Sequence, residues 1–353
     1  MPCLRFSRSF AHLGEHPQSD RFRIRADYLH VNNLPKHNTQ GLTSVSARAI
    51  GFLWMSDHPA FDVIAPVYRS RHVLGRFLEG LDVSVPVILV DNSAGDEDLS
   101  DLIAQYANVR YIDSGGNLGF SAASNLGAAA STADFFVFMN PDTRPTADAL
   151  SNLVRYLDEH PGVASAGAAG VDTEGGGAQP TMMRMLIHSL GLHRVFRLSG
   201  VYFSPRHDET LDVGWISGSC LAIRRSAFES VGGFDPTFFV YMSDVDLGNR
   251  LRRKGLLQVL HGGVVVPHDD GGSSDISLTA IWERRGRGWT LFLRRNHPVP
   301  SAFGLTALFV LGLAARTLLY ASTGRRMRAR EMWTYLSSAI AEWVSPELPN
   351  AGA

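Results

Sequence analysis

The amino-acid sequence predicts an α/β fold, a mainly parallel sheet flanked by helices, followed by a helical C-terminal segment. Three observations carry this. From Asp62 onward, short apolar runs alternate with amphipathic stretches of about ten or more residues, the pattern of βαβ units. Polar clusters stand directly after three of those runs, at Asp91-Asn92-Ser93, Ser114 to Gly119 and Asn140 to Asp142. In open α/β sheets ligands bind beyond the carboxyl ends of strands, so the three clusters are candidates for one site. After Asp275 the composition changes to arginine clusters and one long apolar run.

Taken in order, residues 1–57 show no sustained period and are rich in Arg, His, Asn and Ser, which predicts a poorly ordered extension. Met55 is an alternative start, because the strand pattern begins soon after it. "DVIAPV" (62–67), "VPVILV" (85–90), "VRYID" (109–113) and "FFVFM" (135–139) read as strands. "HVLGRFLEGL", "LSDLIAQYA", "FSAASNLGAAAS" and "TADALSNLVRYLDEH" read as the helices between and after them. The five bulky apolar residues of "FFVFM" suit a strand covered on both faces. "VDTEGGGAQP" (171–180) reads as a flexible loop, and residues 182–206 fit no element. The stretch 214–255 predicts a strand, a short helix, an aromatic turn and another helix. "LLQVLHGGVVVPHDDGGSS" (256–274) reads as a β-hairpin ending in polar residues. The resulting organisation is an extension (1–57), an α/β domain (58–275), a helical region (276–345) and a tail (346–353).

A net charge of −1 and a pI near 6.9 give no global reason to expect nucleic acid. Two cysteines, Cys3 and Cys220, cannot form a disulfide framework, and neither sits in a CxxC pattern, which suits a reducing compartment. Arg5, Arg8, His12 and Glu15 interrupt the stretch where a secretory signal would be apolar, so a cytoplasmic location is expected. The loop "GGNLGFSAASNLG" follows a strand and opens a helix, a setting for phosphate on helix N-terminal amides. It is not GxGxxG, which disfavours a dinucleotide, and its glycines would equally serve a tight turn.

Three side chains, Asp142, Asp244 and His268, have chemical promise. Asp142, a carboxylate at a strand end, could hold Mg²⁺ or Mn²⁺, or could cap the helix near Thr146 or sit in a simple turn. Ser243 and Asp246 match a capping box, and Asp246 also stands i,i+4 to Arg250. Asp244 has only the helix dipole as a structural account, and it follows the aromatic stretch "FFVY". A partly desolvated carboxylate there would suit a general base. His268 could complete a metal site with Asp142 or be a surface histidine at a strand end.

The order of these signals adds a resemblance. With "VDNSAGD", "NLGFSAASNLG", "MNPDTRP", "GSCLAIRR", "GGFDPTFFVYMSDVDLGNRLRRKG" and a final His before "GGSS", the chain resembles the inverting GT-A-fold glycosyltransferases of the rhamnosyltransferase type (family 2-like) over roughly residues 60–275. The resemblance implies a Rossmann-type sheet and transfer of a sugar from a nucleoside-diphosphate donor, dTDP-rhamnose being the family's suggestion. The acceptor implied is a glycan hydroxyl, lipid-linked, in cell-surface polysaccharide assembly. It further implies that Pro66, Tyr68 and Asp91 border the base, and that Asn117, Gly119 and Asn125 flank the ribose and phosphates. Asn140-Pro141-Asp142 would stand for the DxD-like motif, with Asp142 and His268 at a Mg²⁺ or Mn²⁺ ion. Gly218 and Ser219 would face the acceptor, and Asp244 would be the base. Arg250 or an arginine of "RRGRGW" is expected to offset the charge of the leaving diphosphate. The chain departs from the family at Ser243, where Glu is usual, and at Ala65-Pro66-Val67 in the first strand. Two alternatives are a sugar-1-phosphate nucleotidyltransferase, whose Gly-rich loop "APVYRSRHV" lacks, and a degenerate binding protein, against which Asp142, Asp244 and His268 argue.

Residues 301–324, "SAFGLTALFVLGLAARTLLYASTG", hold one charge, Arg316. The run reaches the roughly 20 residues needed to cross a bilayer, although arginine at depth costs roughly 2.5–3.5 kcal/mol on insertion scales. Arg325, Arg326, Arg328 and Arg330 follow, then Trp333, Tyr335 and Trp343, residue types that favour anionic headgroups and the interface. A buried helix or an oligomer contact would also fit. The favoured expectation is a helix lying in or dipping into the inner leaflet, which brings the site to a polyprenyl-diphosphate-linked glycan on the cytoplasmic face.

Overall fold

The computed structural model describes residues 60–169, 175–193, 202–203, 205–207, 209–268 and 277–345, all within one unit spanning Ser56–Ala353. The readings of the extension, of Met55 and of the tail lie outside the described residues, as do residues 171–174 of the predicted loop.

The first half is wound as the alternation predicts. Strands β1 (Phe61–Val67), β2 (Val87–Asp91), β3 (Val109–Asp113) and β4 (Phe135–Met139) alternate with helices α1 (Arg71–Glu79), α2 (Ser100–Ile103) and α3 (Gly119–Ala130). Helix α4 (Ala147–Glu159) follows. β1 pairs in parallel with both β2 and β4, and β2 with β3. Every residue of β4 is buried: Phe135, Val137 and Met139 enter the core under α1 and α4, and Phe136 and Phe138 enter the core on the other face. That two-sided burial is what a five-residue apolar run requires.

The second half departs from a simple parallel sheet. It contains β5 (Val163–Ala169), β6 (Gly176–Gly177), α5 (Met182–Ser189), β7 (Thr210–Asp212), β8 (Trp215–Ile216), β9 (Cys220–Arg224), α6 (Arg225–Ser230), α7 (Ser243–Arg253) and β10 (Leu257–Val265). The main sheet runs β3-β2-β1-β4-β9-β5-β10-β7. β9 is antiparallel to both β4 and β5, and β7 is antiparallel to β10. Of the expected hairpin at 256–274, residues 269–274 lie outside the described residues; the rest holds the single strand β10, parallel to β5, with its register slipping between His261 and Val265. Gly262 and Gly263 make this irregularity rather than a turn, and a Cβ on Gly262 would collide with the Arg206 carbonyl. Part of the predicted loop, Gly176–Gly177, pairs with β8.

Three helices close the described chain: α8 (Leu278–Asn296), α9 (Val299–Ser322) and α10 (Arg326–Val344). Gly286 lets α8 meet α10 at Tyr335 and Ser338, where a Cβ would clash. Asn296, at the end of α8, donates to the Asp246 carboxylate at 3.1 Å and so ties this group to α7. α9 is long and apolar enough to cross a membrane by length and composition. It buries Phe309, Leu313 and Arg316 and exposes Val299, Phe303, Leu311, Leu318 and Leu319.

Candidate active site

The loops after β1 and β4 and the start of α7 open on a cavity of about 640 Å³. Ten of the twelve residues singled out in the sequence line it: Pro66, Tyr68, Asn117, Gly119, Asn140, Asp142, Gly218, Ser219, Asp244 and His268. Asp91 and Asn125 do not. Asp91 is buried at the end of β2, accepting from Ser93 N at 2.7 Å and from the Tyr111 hydroxyl at 2.8 Å. Burial and that bond to Asp91 raise the Tyr111 phenol well above its ordinary range. The neighbouring Asn92 takes the place on the cavity wall. Asn125 clamps the chain ahead of α7, donating to Phe234 O at 2.8 Å and accepting from Phe234 N at 3.0 Å.

The start of α3 is docked on that same segment. Phe120 N donates to Phe239 O at 2.6 Å and Ser121 Oγ to Phe238 O at 2.5 Å. Gly119 has φ +77, and a Cβ there would collide with Phe239, so both the turn and the close approach need glycine. Gly119 N donates to the Asn117 side chain at 3.1 Å. The amides of Gly119 and Phe120, which the sequence offered as a setting for phosphate, are thus engaged within the chain.

Asp142 sits where β4 leaves the sheet, 3% exposed. The turn is set by Thr143, whose N and Oγ1 both donate to Asn140 O, at 3.2 and 2.7 Å. Thr143 also bridges to His268, and Arg144 N donates to Pro267 O at 2.8 Å, which brings the end of β10 alongside. The result is His268 Nε2 at 3.0 Å from Asp142 Oδ1. Helix α4 is capped by Thr146, which accepts from Ala149 N at 3.2 Å, so Asp142 is not the cap. Nor is His268 a surface histidine, its side chain being 11% exposed. The Asp142 carboxylate oxygen is a donor that suits Mn²⁺ or Mg²⁺, and the imidazole nitrogen beside it suits a transition-metal ion such as Mn²⁺ better than Mg²⁺. Among the described residues no cluster of three or more His, Cys, Asp or Glu forms, so a cation here would need oxygens from a substrate or water.

Asp244 enters from the opposite part of the chain. Met242, with φ +70, turns the aromatic segment into α7. Ser243 therefore takes a helical position, and the expected capping box does not form: its Oγ donates back to Val240 O at 2.9 Å. Asp246 instead pairs with Arg250 at 2.7 Å, as the i,i+4 spacing predicts. Asp244 is half-buried; Oδ2 accepts from Gly218 N at 3.3 Å and Oδ1 from Val245 N at 2.8 Å. Its place in the first turn of a helix favours negative charge. Gly218 has no room for a side chain, since a Cβ would lie 2.7 Å from the Phe120 ring.

Arg250 is spent on structure, donating to Asp246, Val231 O and Gly233 O, and among the described residues it is not part of the cavity wall. Of the "RRGRGW" arginines, Arg284 and Arg285 reach the wall, over the rings of Phe239 and Tyr241 at 5.1 and 5.0 Å. Sequence reasoning missed a whole wall of this cavity, made by α5, α8 and α9: His188, His193, Trp289 and Arg316, with Tyr202 and Trp215 beside them. The only sequence signal was the isolated charge of Arg316 in an apolar run.

The family model described as glycosyl transferase family 2 matches residues 62–232. An N-acetylglucosaminyl-diphospho-decaprenol L-rhamnosyltransferase of Mycobacterium tuberculosis is 32% identical over 296 residues, which cover 76% of this chain and 96% of that protein. The rhamnosyltransferase WbbL of Escherichia coli K12 is 26% identical over 212 residues, 55% of this chain and 77% of that one. Among solved structures, the mannosyltransferase PcManGT from Pyrobaculum calidifontis, in complex with GDP-Man and Mn²⁺, has a TM-score of 0.51 at 17% identity, covering 82% of this chain and 87% of that one. The shared feature is a GT-A-like sheet with flanking helices.

Proposed function

Because the chain belongs to glycosyl transferase family 2, we propose that it transfers a sugar, with inversion, from a nucleoside-diphosphate donor to a hydroxyl of a polyprenyl-diphosphate-linked glycan. That it is a glycosyltransferase follows from the family. The names of its relatives support rhamnose, and hence dTDP-rhamnose, as donor, and the decaprenol relative supports the lipid-linked acceptor of a surface polysaccharide. One observation carries the mechanism. The Asp142–His268 pair and the Asp244 carboxylate, held by Gly218 N, line one cavity.

Asp244 takes the proton of the acceptor hydroxyl as that oxygen attacks the anomeric carbon from the face opposite the nucleotide. The bond to the diphosphate breaks, and the nucleoside diphosphate leaves. Asp142 and His268 would hold a divalent cation, which when bound neutralises charge on the diphosphate. The Mn²⁺ complex of the mannosyltransferase neighbour supports this cofactor class. Pro66, Tyr68 and Asn92 wall the base side, with Asn117 and Asn140 beyond them. Asp91 and Asn125 act from behind, fixing Ser93 and the Phe234 segment. Gly218 and Ser219 shape the acceptor side. The exposed Leu311 and Leu318 of α9 would rest on the cytoplasmic face of the membrane, placing the catalytic domain at the acceptor's headgroup.

Purified protein is assayed against a panel of nucleotide sugars with Mn²⁺ or Mg²⁺ and a polyprenyl-diphosphate-linked N-acetylglucosamine. The expected result is nucleoside diphosphate release with an inverted anomeric centre in the product. Retention of configuration would overturn the mechanism, and pyrophosphate release from a nucleoside triphosphate would favour the nucleotidyltransferase reading.

A further inference from the structure

The helical wall of the cavity carries a buried charge that the transfer step does not use. Arg316 lies on α9, is 7% exposed, and still lines the cavity. Among the described residues no carboxylate pairs with it. Its Nε donates one long hydrogen bond, 3.4 Å to the Tyr320 hydroxyl, and its guanidinium sits 5.6 Å from that ring's centre. The buried carboxylate of this helical group, Glu342, stands instead by Arg287 and Arg294, at 4.0 and 3.6 Å. A guanidinium keeps its charge in proteins, and a buried charge without a counter-charge is strongly destabilising. A fold that retains one at a cavity wall is built to receive an anion.

The surroundings define which anion. Gly191, with φ +73, makes room for the guanidinium: a Cβ there would lie 3.2 Å from its central carbon. The rings of His188 and His193 stack at 5.1 Å, and His188 lies 5.7 Å from Trp289. The forked donors of arginine match phosphate oxygens, and the indole gives an apolar neighbour to whatever the phosphate carries. α9 faces two ways. Phe303, Leu311 and Leu318 are exposed on one side, and Arg316 shares the buried side with Phe309 and Leu313. A lipid-tethered diphosphate at Arg316 would enter through the cavity that Arg316 lines, with its chain passing toward the apolar surface. The donor's diphosphate has its own place, at Asp142 and His268, which come from β4 and the end of β10 rather than from α5 and α9.

We propose that Arg316 anchors the diphosphate of the acceptor lipid, an anion site separate from the donor's. The inference rests on the lipid-linked acceptor proposed above, and its test is made independent of turnover. The full chain is titrated with geranyl diphosphate in EDTA, which removes any divalent cation, with tryptophan fluorescence as readout. Geraniol and inorganic pyrophosphate are titrated in parallel, and dTDP is titrated with Mn²⁺. Geranyl diphosphate should bind, and Arg316→Met should weaken it about tenfold or more, the effect of losing a charge-assisted pair. Arg316→Lys, which keeps the charge and loses the fork, should fall between. The dTDP affinity should stay within about twofold in both variants, because its diphosphate lies elsewhere. Arg316→Met should unfold at the same temperature as the parent or higher, since it removes an unpaired buried charge, and this separates a ligand role from a packing role.

Loss of dTDP binding in parallel would place Arg316 in the donor site and overturn the proposal. So would geranyl diphosphate binding that ignores the substitution. Inorganic pyrophosphate binding as tightly as geranyl diphosphate would overturn the lipid part by making the site a free-anion site. Arg316-dependent binding of geranyl diphosphate supports the site even where no lipid-linked glycan is glycosylated, an outcome that counts against the proposed reaction alone.

Discussion

Replacing Asp244 by asparagine removes a proton acceptor while keeping nearly the same volume. The carboxylate has two roles that the substitution separates. Its oxygens accept from Val245 N at 2.8 Å and Gly218 N at 3.3 Å. An amide can keep only one of these, because its NH₂ group would face an N–H at the other. The lost bond is the longer and weaker of the two, so the structural cost is about 1 kcal/mol, a shift in melting temperature of a few degrees for a domain of this size. The chemical cost is larger. A positioned base contributes typically 10²–10⁴-fold, so turnover should fall by about 10² or more. Donor affinity should not change, because the donor's diphosphate is proposed to sit at Asp142 and His268 and not at Asp244. The assay is nucleoside diphosphate release with and without acceptor, beside a donor binding isotherm and a thermal melt. Turnover within about tenfold of the parent, in a variant that melts within a few degrees and binds donor normally, would refute Asp244 as the base. Collapse of the melt would show that the Gly218 bond matters more than its length suggests.

Asp142→Ala should weaken cation-dependent donor binding and remove the carboxylate bonded to His268, with partial rescue by excess Mn²⁺; activity indifferent to chelation in the parent would refute the cation's role. Leu311→Glu with Leu318→Glu, both on the exposed face of α9, should abolish co-sedimentation with anionic liposomes while donor hydrolysis stays within about twofold, and unchanged sedimentation would refute membrane contact through this helix. Burial, with repulsion from His160 and His207, lowers the pKa of His261 below the ordinary histidine range. A depressed folded value means the unfolded chain binds the proton first, so this contribution is complete above the ordinary histidine value and is lost as pH falls through the folded one. His261→Gln should flatten the stability profile in that acid window, and a profile identical to the parent's would refute the assignment. The buried Cys220 thiol is pushed up to about 12, so its peptide should resist alkylation near pH 8 until the protein is denatured.

The parts of the fold legible in the sequence were those whose side chains announce their period. β1 to β4 are rich in Val, Ile and Phe, and each was placed to within two residues at either end. β5, "VASAGAA", is fully buried and central, yet its small residues carry no strand signal. They are small because neighbours crowd in: a Cβ on Gly167 would clash with Ile216. The Gly262-Gly263 pair read as a turn because a bulge and a hairpin use the same residue, and only the pairing partner tells them apart. At the start of α7 the capping-box pattern was present and the geometry was not, since the left-handed Met242 had already turned the chain. Asp91 and Asn125 were singled out in the sequence as site residues, but they stand one layer behind the cavity; motif order does not carry burial. The wall of His188, Trp289 and Arg316 joins residues more than a hundred positions apart, a closeness no linear pattern encodes.

The docking of α3 on the segment before α7 has a bearing on how such a site can be altered. Gly119, Ser121 and Asn125 lie on one short helix, and each meets the stretch Phe234 to Phe239 that leads into Asp244. On the proposed reading, the loop Ser114 to Gly119 at the donor end and the Asp244 carboxylate at the acceptor end are therefore fastened to the same helix. Shifting that loop to admit a different nucleotide or sugar would tilt α3 and move the base by a comparable amount. If that reading holds, donor choice and acceptor geometry are not separate dials, and a swap of donor-loop residues alone should change the linkage yield even for the original acceptor.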